Sequence, residues 1–206
     1  MLRSRKFPGS VDLGLKEQYA APGDHIAYFW ETDAEFRAAA EFLQVGIRAG
    51  DHCVIFGHDD ANARVLEELV CRNFDCDLLR AKGQLSILTG DASGQAMLAK
   101  IAEDFRSALG NGKKMIRLLG NIGWGKPKWP NDVDILEFEA RVTEAVKSLP
   151  AVVVCMYDVH SLRGDILLQG AFETHPLTIR RNLLRENEHY VPLADFLAGL
   201  KAAGTS

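Results

Sequence analysis

His25-Ile26-Ala27-Tyr28-Phe29-Trp30 is followed by a polar break at Glu31-Thr32-Asp33. Phe36, Ala39, Ala40, Phe42, Leu43 and Ile47 come next, then Ala49-Gly50-Asp51 and the apolar run His52 to Phe56. The first run is short and mostly apolar, which suits a buried strand. The next six apolar positions fall on one face of a helix that Asp33 is placed to cap. Gly50 stops it, and His52 to Phe56 reads as a second strand. This is one strand–helix–strand unit, and the strands of such a unit run parallel.

The same pattern fills the chain on the carboxyl side. Asp59 or Asp60 starts a helix carrying Val65, Leu66, Leu69 and Val70, and Leu85 to Leu88 is a strand. Ser93 opens a helix with Met97, Ile101, Phe105 and Leu109, which Asn111-Gly112 ends. Met115 to Leu119 is a strand, and a Gly/Pro/Trp-rich loop runs from Gly120 to Asn131. Asp132 opens a helix reaching about Leu149. Ala151 to Tyr157 is the most apolar strand, Arg163 to Thr174 reads as helical, Pro176 to Arg180 as a last strand, and Leu193 to Ala202 as a closing helix. Strands alternating with helices predict an α/β fold of three layers: a mainly parallel sheet with helices on both faces. On the amino side, residues 1–22 show few periodic apolar positions and end in Pro22-Gly23. They read as an N-terminal arm before a single domain, 23–206.

Composition narrows the function classes. A chain of 206 residues with 47% hydrophobic content can bury a proper core. With 24 basic and 28 acidic residues the net charge is -4, which argues against broad nucleic-acid or membrane-surface binding. The basic start, Met1 to Phe7, has no apolar run behind it and does not read as a signal peptide. No apolar stretch approaches the ~18 residues of a membrane span. The four cysteines, Cys53, Cys71, Cys76 and Cys155, form no C-x-x-C pair. A reduced, cytoplasmic protein is expected.

In a parallel sheet, ligands bind beyond the carboxyl ends of the strands. Those segments are Glu31, Gly57-His58-Asp59-Asp60, Gly90-Asp91, Gly120-Asn121 with Trp124, and Asp158 to His160. A phosphate-binding loop, G-x-x-x-x-G-K-[ST], aligned on Gly57 puts Asn62, Ala63 and Arg64 in its last three places. The second glycine, the lysine and the Mg²⁺-binding hydroxyl are missing. Asp59 and Asp60 would repel a phosphate and read as helix caps. Asn121 offers no carboxylate for Mg²⁺. Asp158 is better placed as an acid, or else it bonds the turn after its strand. The six histidines show no H-x-x-x-H spacing, so no metal ligand is assigned among them. Trp124 and Trp129, with Pro127, Pro130, Lys126 and Lys128, make a loop that could cover an apolar ligand, anchor a partner, or be pinned by its own tryptophans. Glu137 and Glu139 point to different faces of one helix, against a paired acid/base role. No G-x-S-x-G elbow and no Cys-His pairing is visible, so no enzyme is expected.

The segments taken in order resemble the MEDS domain, the sensory domain of methanogens, methylotrophs and a dichloromethane-responsive repressor. Gly23 to Trp30 resembles its G-D-H-x-x-x-F-[YW] start. Phe42-Leu43 to Asp51, Arg117 to Trp124, Glu137 to Arg141, Cys155-Met156-Tyr157-Asp158, His175-Pro176 and Asn187 to Pro192 resemble its later elements, from about Gly23 to about Leu197. The resemblance implies a RecA/KaiC-like fold without a functional Walker A motif, and sensing of simple hydrocarbon derivatives. Members are often fused to DNA-binding or histidine-kinase output domains. This chain has Asn121 where members often carry Glu, and it shows no output domain of its own. The expected function is therefore a stand-alone sensory module that binds a small, largely apolar molecule and signals to a partner such as a histidine kinase or transcription regulator. No cofactor, no direct nucleic acid and no membrane are expected, and a homo-oligomer is left open. The expected ligand lining is His25, Phe29, His58, Trp124, Cys155, Tyr157, Asp158 and His175. A degenerate RecA/KaiC-like nucleotide-binding module and an interaction scaffold without a ligand are the alternatives.

Overall fold

The computed structural model describes residues 6–203. The start of the arm, 1–5, and residues 204–206 lie outside the described residues. The chain runs through β1 (Val11–Asp12), β2 (Tyr19–Ala20), β3 (His25–Trp30), α1 (Asp33–Ala49), β4 (His52–Gly57), α2 (Asp59–Cys71), α3 (Cys76–Ala81) and β5 (Leu85–Thr89). It continues through α4 (Gly94–Gly110), β6 (Ile116–Asn121), α5 (Asp132–Val146), β7 (Ala151–Asp158), a π-helix (Ile166–Glu173), β8 (Leu177–Arg180), β9 (Leu183–Glu186) and α6 (Leu193–Ala203). Seven strands form one sheet in the order β5-β4-β6-β7-β3-β8-β9. All neighbours pair in parallel except β8 and β9. The fold is α/β, with a mostly parallel sheet between two helical layers.

The two faces of β7 explain the layering. Val153, Cys155 and Tyr157 turn to one side, where α4, α5, the π-helix and α6 pack. Val152, Val154 and Met156 turn to the other, where α1 and α2 pack. A strand covered on both faces needs apolar residues at every position, which is why Ala151 to Tyr157 reads as one continuous run. Residues of the arm join the second side: Val11, Leu13, Leu15 and Ala20 are buried there, and β1 pairs antiparallel with β2. Arg117 on β6 ties the arm down. Its Nε donates to Asp51 at 2.7 Å, and its guanidinium also donates to the carbonyls of Phe42, at 3.2 Å, and Asp12. Gly46 of α1 has no side chain because that guanidinium passes over it: a Cβ there would lie 2.4 Å from Arg117 Cδ.

Several local expectations are corrected. Thr32, not Asp33, caps α1: its Oγ1 accepts from the Glu35 N–H, and the Glu35 carboxylate accepts from the N–H groups of Glu31 and Thr32. That reciprocal box stabilises a helix start better than one aspartate does. His58 caps α2, its Nδ1 accepting from Ala61 N–H at 3.4 Å, while Asp59 and Asp60 occupy the first turn. The segment expected to be helical over 163–174 is wound as a π-helix. Three elements had no expectation at all: the β1–β2 pair, α3, and β9, which turns back from β8 through Arg181 and Asn182 with φ of 51° and 59°. Two-residue hairpin turns of this kind usually carry glycine. Here the Asn182 side-chain amide lies 2.9 Å from the Tyr28 hydroxyl, whose proton goes to the Glu35 carbonyl at 2.8 Å. Among the described residues no helix is long and apolar enough to cross a membrane.

Candidate functional site

Four elements converge on one buried spot between the sheet and α5. His25 opens β3, Cys155 and Tyr157 lie on β7, and Glu139 and Thr143 sit one turn apart on α5. Thr174 and His175 follow the π-helix, whose wide turns displace the chain relative to an α-helix and often occur at functional sites. His25, Glu139, Cys155 and His175 are all buried, the last at 0% exposure.

Hydrogen bonds around the cluster fix its protons. The Thr143 hydroxyl donates to the Thr174 carbonyl at 2.6 Å, so it accepts from His25 Nδ1 at 2.7 Å. His25 Nε2 is then left with a lone pair, facing Cys155 Sγ at 3.3 Å and Glu139 Oε2 at 3.5 Å. His175 follows the same logic. Its Nδ1 donates to the Ala171 carbonyl at 3.1 Å and lies 2.8 Å from Thr174 Oγ1, whose own proton goes to the Gly170 carbonyl at 2.6 Å. His175 Nε2 lies 3.6 Å from Glu139 Oε2 and has no hydrogen-bond partner among the described residues. Cys155 Sγ is 3.5 Å from Glu139 Oε2. The Tyr157 hydroxyl donates to the Gly170 carbonyl at 2.6 Å and lies 3.3 Å from Glu139 Oε1.

Burial favours the uncharged form of each group. It pushes the Glu139 carboxyl up to about 8, against the opposing hydrogen bonds from Cys155 and Tyr157. It pushes His175 down to about 3, and it lowers His25 with help from the neighbouring His175. Cys155 and Tyr157 are pushed up by burial and then by Glu139. With no cation bound, the cluster at neutral pH is a carboxylic acid, a thiol, a phenol and two neutral imidazoles. One atom from each of His25, Glu139, Cys155 and His175 lies within 4.8 Å of the others, so the four can hold a metal ion.

A second feature lies at the carboxyl ends of β3, β4, β6 and β7. It is a cleft of about 510 Å³, with apolar walls from Trp30, Phe36, Ile122, Trp124, Met156 and Leu162. His58, Asp60, Arg64, Asn121, Lys126, Asp158 and Ser161 are its polar residues. The Trp124 Nε1 and Asn121 Nδ2 groups are buried without a hydrogen-bond partner among the described residues. Burial and the Lys126 charge lower the His58 imidazole, against the opposing Asp60 and Asp59. Asp158 also serves its turn, accepting from the His160 N–H at 3.0 Å.

The eight residues expected to line one pocket are thus divided. His25, Cys155, Tyr157 and His175 meet in the buried cluster, and His58, Trp124 and Asp158 meet at the cleft. Phe29 lies beside the cluster, its ring 6.0 Å from Tyr157 and 4.9 Å from Phe172. Cys155 and His175 do share one site. Sequence reasoning missed Glu139, Thr143 and Thr174. The signal for Glu139 was present: α5 buries Ile135, Leu136, Phe138, Val142 and Val146, and Glu139 is the one acid inside that stripe. Glu137 points away and pairs with Arg141 at 2.6 Å, as the different faces require.

Trp129 fills a slot with no room for side chains at its walls. A Cβ at Gly90 would come within 2.3 Å of its ring, and one at Gly123 within 2.5 Å.

Comparison with known proteins bears on the same region. The family model for the methanogen/methylotroph, DcmR sensory domain (MEDS) matches residues 24–176. That span begins one residue before His25 and ends one residue after His175. The transcriptional repressor DcmR of Methylorubrum extorquens is 26% identical over 181 residues, covering 84% of this chain and 67% of the repressor. With the family model matching well over half of its length, the chain belongs to the MEDS family of sensory domains.

Proposed function

We propose that the chain is a sensory module that takes a small, largely apolar molecule into the strand-end cleft and reports it to a partner protein, a histidine kinase or a transcription regulator. The observation that carries this reading is the cleft itself. It stands where parallel sheets bind ligands, it sets apolar walls beside polar groups that can orient a ligand, and it lies in the region matched by the sensory-domain model. Similarity to a transcriptional repressor supports a signalling output. The polar side chains serve recognition, and no catalytic role is assigned.

The nucleotide-binding alternative is weaker on local grounds. In a RecA/KaiC-like site the phosphates would rest on a helix N-terminus. Here the first N–H groups at α1 are taken by Thr32 and Glu35, and α2 starts with His58, Asp59 and Asp60. We read both as a phosphate loop that has been replaced.

Thermal melts test this. A ligand at ~100 times its Kd stabilises the native state by ~2.7 kcal/mol, which raises the melting point by roughly 5–10 °C for a domain of this size. Short-chain halogenated hydrocarbons and alcohols are expected to give such a rise, and Trp124→Ala to remove it. A rise with Mg²⁺-ATP alone would overturn the reading in favour of a nucleotide site.

A further inference from the structure

The geometry points to a closed, four-coordinate centre for a divalent transition-metal ion of the zinc class, held by His25 Nε2, Glu139 Oε2, Cys155 Sγ and His175 Nε2. It is separate from the cleft and independent of what the cleft binds. It also replaces the expectation of no metal, which rested on local spacing: each donor comes from a different segment, so no two are linked by a short motif.

Three observations carry it. The first is spacing. Zinc takes imidazole nitrogen and carboxylate oxygen at ~2.0–2.2 Å and thiolate at ~2.3 Å, so donors at the corners of a tetrahedron lie roughly 3.4–3.6 Å apart. Four of the six separations are 3.3, 3.5, 3.5 and 3.6 Å, and all six lie within 4.8 Å. The two nitrogen–oxygen distances, 3.5 and 3.6 Å, are too long for strong hydrogen bonds, and all four match ligands around one ion.

The second is orientation. Both histidines give their Nδ1 protons to outer partners, His25 to Thr143 and His175 to the Ala171 carbonyl, and both turn an Nε2 lone pair inward. This is the outer support that metal-bound histidines carry. The Tyr157 hydroxyl, whose proton goes to the Gly170 carbonyl, packs 3.3 Å from the second carboxylate oxygen of Glu139. Left without an ion, His175 Nε2 is a fully buried acceptor with no partner among the described residues.

The third is charge. A thiolate and a carboxylate together balance a divalent cation, so the loaded site is neutral, as burial at 0% exposure of the His25, Glu139 and His175 side chains demands. All four positions are filled by protein, which makes the ion a tie between β3, β7, α5 and the end of the π-helix rather than a catalyst with an open position.

The test loads cobalt(II), because tetrahedral cobalt with a thiolate ligand absorbs in the visible and near ultraviolet. Since the site is buried, wild-type protein is refolded from denaturant with cobalt and desalted. Protein purified without chelator from cobalt-supplemented medium is examined beside it, and both are checked for native circular dichroism. One ion per chain is expected, with tetrahedral d–d bands and a thiolate-to-cobalt band. Cys155→Ala should lose the thiolate band. Glu139→Gln keeps the shape of the ion-free cluster and should fold, yet bind cobalt roughly tenfold or more weakly. Thr143→Val leaves all four donors and should weaken binding roughly 10–100-fold, by removing the acceptor for His25 Nδ1 and the donor to the Thr174 carbonyl beside His175. Native wild-type protein that retains no cobalt by either route overturns the proposal, and so does cobalt retained equally by Cys155→Ala and Glu139→Gln.

Discussion

Replacing Gly46 with alanine should destabilise this protein, although alanine is the better helix former. Inside a helix the change would gain roughly 0.5–1 kcal/mol. Here the new methyl would sit 2.4 Å from Arg117 Cδ and 2.6 Å from its Nε. The guanidinium cannot retreat freely, because Asp51 and the carbonyls of Phe42 and Asp12 hold it. Overpacking of this kind costs ~1–3 kcal/mol. Subtracting the helix gain leaves a net loss of up to ~2.5 kcal/mol, centred near ~1 kcal/mol, or a melting point lower by up to roughly 10 °C. The test is a comparison of urea midpoints for four proteins: wild type, Gly46→Ala, the background Arg117→Val with Asp51→Asn, and that background with Gly46→Ala. In the background the obstruction is gone and no buried charge is stranded. Cys53 Sγ still lies 3.0 Å from the new methyl. Gly46→Ala should then range from neutral to a gain of ~1 kcal/mol. An equal loss in both backgrounds, or a gain in wild type, would refute the packing argument.

Tyr157→Phe removes a buried hydroxyl that donates to the Gly170 carbonyl at 2.6 Å. That carbonyl keeps the Thr174 hydroxyl as a second donor, so chemical denaturation should read a loss near ~1 kcal/mol, the low end for a broken buried hydrogen bond; a loss above ~3 kcal/mol would mean Tyr157 holds more than this bond. His58 supplies a pH test. Its folded pKa lies below the ordinary value of 6.5, so neutral His58 stabilises the fold above that value and the contribution is lost as pH falls. Asparagine can also cap a helix and does not titrate. Between about pH 7.5 and pH 5 the melting point of wild type should therefore fall further than that of His58→Asn, and parallel curves would refute the assignment.

The sheet was legible because a strand buried on both faces must be apolar throughout, and Ala151 to Tyr157 or His52 to Phe56 can be little else. The helices showed through the one-sided spacing of residues such as Phe36, Leu43 and Ile47. Elements that escaped have physical reasons. β9 follows a turn made by Arg181 and Asn182, without the glycine that usually announces one. In the arm, Val11, Leu13 and Leu15 do alternate, but the run is too short to stand out, and its burial depends on packing against α1 and the sheet. The buried cluster was half visible. His25, Cys155, Tyr157 and His175 were singled out, but their meeting point depends on strand order, which brings β3 beside β7, and on the π-helix that delivers His175. Glu139 was weighed only as a partner of Glu137, and the different faces that ruled out that pair did not say which face was buried.

The slot around Trp129 also says something about history. Its two walls, Gly90 and Gly123, belong to separate strand ends and tolerate no side chain while the indole is present. A lineage could have acquired the tryptophan only after both positions had become glycine, and could lose either glycine only after giving the tryptophan up. Among relatives the three positions should therefore change as a set, in that order, and a chain with a bulky residue at either glycine position should carry a smaller one in place of Trp129.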